Sequence, residues 1–85
     1  MEWVVIVEMI IALIQECMEN RTEDEIISQL RNPRGREVLA IRRVLIKTGL
    51  SGKELRDGTR EVLDELNRTT DNELHDLVQQ ARSSS

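Results

Sequence analysis

The sequence predicts an all-α protein, a small bundle of four to five short helices with helices 1 and 3 at its centre. Three observations point there. Four segments repeat apolar residues at helical spacing. Three stretches, "TEDE" at 22–25, "SGKE" at 51–54 and "TDNE" at 70–73, match the capping box, in which a hydroxyl covers a free amide and the Glu three residues on returns the bond. Val, Ile and Leu supply 25 of the 85 residues, whereas Phe and Tyr are absent and Trp3 is the sole aromatic. An aliphatic core of that kind suits helices packed side by side.

The first helix is read from "WVVIVEMIIALI" at 3–14, where Glu8 is the one charge among eleven apolar residues. The stretch is too short to cross a bilayer, which takes roughly 20 apolar residues. No basic region precedes it, so it does not read as a secretory signal. On a helical wheel its apolar arc covers about 200°, twice what one neighbour requires. A buried helix with a second packing surface follows, and Trp3, Ile6, Val7, Ile10 and Ile14 are the candidates for contact with another copy. The β-branched run Val4–Val7 would also suit an extended first turn.

Helix 2 is expected from Glu23 to Arg31, with Ile26, Ile27 and Leu30 inward and Pro33 and Gly35 ending it. Helix 3 is expected from Arg36 to Thr48, capped by Gly49. Its apolar residues, among them Leu39 and Ile46, span about 220° of the wheel, and Arg42 falls between Val38 and Ile46 on that side. Arg42 is therefore expected to be at least partly buried and paired with a carboxylate such as Glu37, Glu61 or Glu65. Helix 4 is expected from Gly52 to Asn67 in one register, Leu55, Thr59, Val62 and Leu66, which runs uninterrupted past Gly58. Helix 5 starts at Asp71 and packs through Leu74, Leu77, Val78 and Ala81. Residues 1–82 form a single domain and 83–85 a disordered tail.

Function is constrained mainly by exclusion. His75 reads as a boundary residue and Cys17 as a buried, unreactive thiol, and a single cysteine permits no internal disulfide. The carboxylates fall on solvated helix faces. No catalytic, cofactor or metal motif is legible, so an enzyme is not expected. The net charge of −4 opposes nonspecific nucleic-acid binding, and the lone cysteine makes a reduced, cytoplasmic setting the default. The charges are segregated, however. Residues 31–47 hold six cations against Glu37 alone, a local +5, and the remainder holds six basic and fifteen acidic residues, a local −9. Such a segment faces either an acidic partner or the acidic helices of its own domain. The sequence thus predicts a protein–protein interaction or assembly module, self-associating through helix 1, with no membrane contact. The competing reading is a helix-turn-helix regulator over residues 41–60, built on "VLIKTGLSGKEL". Arg34, Arg36, Arg43, Lys47, Lys53, Arg56 and Arg60 form the candidate surface for an acidic partner or a nucleic acid.

Overall fold

The computed structural model describes residues 2–18 and 20–83, without the side chain of Cys17. The expectation that Cys17 is buried and inert therefore lies outside the described residues, as do Ser84 and Ser85 of the expected tail. Five helices follow in order: α1 (Trp3–Cys17), α2 (Glu23–Arg31), α3 (Gly35–Lys47), α4 (Gly52–Arg68) and α5 (Asp71–Ser83). Ser83, assigned to the tail by sequence, closes α5. The expected all-α bundle is the observed fold, with α1 and α3 extensively packed.

α1 is helical from Trp3, so its β-branched first turn is not extended. No acidic residue occupies its first turn, no basic residue its last, and no side chain caps its start. Its conformation is held by burial: Ile6, Met9, Ile10, Leu13 and Ile14 are all in the core. α1 lies chiefly against α3 and α5, and α3 in turn packs on α4, while α2 closes the bundle against α5 and α4. The Nε2 amide of Gln15 donates to the carbonyl of Ala81 at 3.1 Å, tying α1 to the end of α5. The radius of gyration, 11.8 Å, is that of a closely packed chain of this length.

The helix ends show which local signals operate. Thr22 accepts from the Glu25 amide at 3.3 Å. Thr70 and Glu73 make the full reciprocal box, at 3.1 and 3.2 Å. The third match fails: Ser51 begins α4 but its side chain caps nothing. Gly52, with φ of +57°, turns the chain out of helical geometry at the position where the hydroxyl would have to aim. A bond not anticipated from sequence occurs at α3, where the Glu37 carboxylate accepts from the backbone N–H of Arg34 at 3.1 Å.

The expected cap at Gly49 is present. Its φ is +97°, its N–H donates to Ile46 at 3.0 Å, and the Leu50 N–H donates to Leu45 at 3.2 Å. Those two bonds are the Schellman pattern. α4 is one continuous helix through Gly58, which is buried and outside the positive-φ region, so the single-helix expectation holds. The buried threonines of α4 and its C-cap are internally satisfied: Thr59 donates to the Leu55 carbonyl at 2.7 Å and Thr69 to that of Glu65.

Two glycines separate the backbone effect from space. A Cβ at Gly35 or Gly49 would meet nothing within 4 Å, but only Gly49 needs positive φ. Gly49→Ala is expected to destabilise by about 1 kcal/mol, and Gly35→Ala to stabilise by about 0.5 kcal/mol by restricting the unfolded chain. Urea unfolding midpoints of the two variants should move in opposite directions; movement in the same direction would contradict this account of the turn.

Candidate interaction surfaces

Of the five residues predicted for self-association, Ile6, Ile10 and Ile14 are buried within the chain's own core. They are corrected from contact residues to core residues, because α3 and α5 together cover most of the apolar arc of α1. Trp3 remains 45% exposed and Val7 partly so. The structure adds Val4, at 63% exposure, and Ile11. With Leu77 of α5, these side chains form the floor of a groove of about 500 Å³ between α1 and α5. Its rim carries Glu8 on one side and Glu73 and Asp76 on the other, with no basic residue in the lining.

α3 departs from expectation in which part of its apolar arc faces inward. Ala40, Ile41, Val44 and Leu45 are buried, and so is Glu37. Leu39 and Ile46, at 59% and 55% exposure, lie on the outside. Arg42 lies there too, exposed and without an ion pair among the described residues. The expectation of a buried, paired Arg42 is therefore corrected: the sector of the wheel that holds it faces solvent. Arg42 and Arg43 each lie within about 40° of the Leu39–Ile46 pair, on opposite sides of it. The result is an apolar ridge with a cation along each edge.

The basic segment divides in two. Its ends face the domain's own acids: Arg31 pairs with Asp71 at 2.8 Å, and Lys47 with Glu16 at 2.6 Å. Lys47 is thus engaged within the chain rather than free for a partner. Arg34, Arg36 and Arg43 are exposed and form no ion pair among the described residues, and the same holds for Lys53, Arg56 and Arg60 on α4. Lys53 and Asp57, and Arg60 and Asp64, stand four residues apart on α4 but form no ion pair among the described residues. Asp57 and Asp64 are nevertheless exposed and lie within about 40° of Lys53 on the helix, so the outer face of α4 carries both signs.

A second hollow lies at the α2–α3 junction, lined by Gln29, Arg31, Arg34 and Glu37 among others. It is open and polar, and Arg31 there is already held by Asp71. Among the described residues, no group of three His, Cys, Asp or Glu side chains is arranged to hold a metal ion. No helix among them is long and apolar enough to cross a membrane.

His75, expected at the boundary of α5, has a partner 52 residues away: the Glu23 carboxylate contacts Nδ1 and links α5 to α2. That hydrogen bond, reinforced by the negative charges of Glu23, Asp24 and Asp71, holds His75 above its ordinary 6.5 against the smaller opposing effect of desolvation. A pKa raised on folding stabilises the folded state fully below the unfolded value and ceases to do so as pH rises through the folded one. The stability difference between wild type and His75→Gln should accordingly be larger at about pH 6 than at about pH 8.5. Equal differences at the two pH values would remove the pair from the account. Arg42→Met tests the correction on α3. An exposed, unpaired guanidinium predicts a change within about 0.5 kcal/mol, whereas a loss of several would restore the buried pair.

No protein family, curated protein or solved structure matches the chain, and what bears on its function is the apolar and charge geometry of these surfaces.

Proposed function

We propose that the chain is a small, non-enzymatic, cytoplasmic interaction or assembly module that self-associates through the exposed edge of α1. One observation carries this reading. Trp3 and Val4, both large and apolar, stand about half exposed and continue into Val7 and Ile11 along one groove. Scattered apolar residues on a surface need no explanation, but a contiguous strip on a chain this small favours a partner. A tryptophan at its edge supplies the rigid, amphipathic area that protein contacts favour. The chemistry points the same way: the sole histidine is held by Glu23, and the carboxylates of the groove line its rim without an acid–base partner. An acidic protein surface also fits the free cations of α3.

Lys53, Arg56 and Arg60, exposed beyond a tight turn, support the helix-turn-helix reading. Asp57 and Asp64 in the same face oppose it, because a phosphate backbone approaching the cations would meet them too. Trp3 is the natural probe. As concentration rises to about 100 μM, its emission should shift to shorter wavelength and the sedimenting mass should exceed that of one chain. Val4→Arg should abolish both changes. A single-chain mass throughout overturns self-association, and duplex binding that weakens steeply between about 50 and 200 mM salt would favour the regulator instead.

A further inference from the structure

The groove and the ridge are complementary. The groove has an apolar floor and an acidic rim, Glu8, Glu73 and Asp76. The ridge has an apolar crest, Leu39 and Ile46, and cationic edges, Arg36, Arg42 and Arg43. The one acid of α3, Glu37, is turned inward and accepts from the Arg34 amide, so α3 itself places no negative charge on its outer face. Lengths agree as well. Leu39 and Ile46 are two turns apart, about 10 Å, and the α1 wall from Trp3 to Ile11 extends about 12 Å.

The ridge cannot fill the groove of its own molecule. On the wheel the Leu39–Ile46 pair lies about 180° from the buried stripe of α3, so it faces directly away from the core that α1 and α5 share. We infer that the occupant of the α1–α5 groove is α3 of a second copy, seated with Leu39 and Ile46 on the Val4–Val7–Leu77 floor and Arg42 and Arg43 against the carboxylates of the rim. This rests on the proposed self-association and specifies it. The contact is heterologous: each copy offers a ridge to one neighbour and a groove to another, so assembly proceeds head to tail.

Two variants, each altering exposed positions, separate the surfaces: a ridge variant, Leu39→Glu with Ile46→Glu, and a groove variant, Val4→Arg with Asp76→Arg. Circular dichroism checks that both remain helical, and sedimentation is run at about 100 μM protein and about 50 mM salt, where charge screening is weak. The wild type is expected to form species whose mass grows with concentration. Each variant alone is expected at the mass of one chain. Their equimolar mixture should run at about twice that mass, because one intact groove meets one intact ridge and the chain of contacts stops there. A mixture that stays monomeric overturns the inference. A ridge variant that associates like the wild type also overturns it, while leaving self-association through α1 standing. A monomeric wild type overturns both. Binding of the wild type to phosphatidylserine-containing vesicles that the ridge variant loses, without self-assembly, would assign the ridge to a lipid surface and reject the second copy.

Discussion

The structure depends on the burial of one stripe of α1 between α3 and α5. α1 has none of the local supports that helix ends normally use: no capping side chain, no acid in its first turn, no base in its last. Its first turn is rich in β-branched residues, which lose side-chain freedom in a helix. What holds it helical is the removal of Ile6, Met9, Ile10, Leu13 and Ile14 from water. At roughly 1.5–3 kcal/mol for each fully buried side chain relative to an exposed one, that term outweighs any missing cap. α3 and α5 need α1 in return: with Trp3 half exposed the core is aliphatic, and α1 is the neighbour against which each of them packs most extensively.

The same constraint explains what the sequence disclosed and what it withheld. Helix limits were legible because they are decided locally, by Thr22, Thr70 and the Gly49 turn. The continuity of α4 past Gly58 was legible because one apolar register crosses it. Ser51 matches the capping pattern without capping because Gly52, one residue on, has a positive φ, and a residue pattern carries no dihedral. The exposed ridge of α3 was illegible for a different reason. A wheel shows an arc of about 220° but not which sector the neighbours will cover. Burial of Glu37, which the Arg34 amide satisfies, goes with a phase that leaves Leu39, Arg42 and Ile46 outside. On α1 the difference is reversed: the wheel leaves Ile6, Ile10 and Ile14 open to a partner, and the fold itself covers them. The His75–Glu23 contact, between residues far apart in sequence, carries no signal that spacing could reveal.

Charge segregation takes on a definite form once the helices are placed. The two ends of the basic segment are neutralised internally, by Asp71 and Glu16, and the middle is left outward. Exposed ion pairs of this kind contribute at most about 1 kcal/mol each, so they are weak as supports for the fold. Their effect is better described by what they remove. With Arg31 and Lys47 engaged, the cations left on α3 are concentrated along the edges of the apolar ridge, and the carboxylates of α1 and α5 along the edges of the groove. Complementary edges of this type chiefly set orientation and encounter rate, while apolar contact supplies the affinity.

That division of labour would fix the character of the proposed assembly. A ridge presenting two large apolar side chains makes a small contact, and small interfaces are weak taken singly. A two-fold dimer through one face would close after one such contact and gain nothing further. A head-to-tail arrangement does not close unless its rotation happens to complete a ring, so every added copy makes another contact of the same kind. A copy inside such a row is held by two contacts, one through its ridge and one through its groove, whereas a copy at either end is held by one. The acidic rim and basic edges also forbid the wrong pairings: ridge on ridge sets cation against cation, and groove on groove sets carboxylate against carboxylate. In the proposed assembly, polarity would thus be set by these charges, and the two faces would give the direction in which copies add.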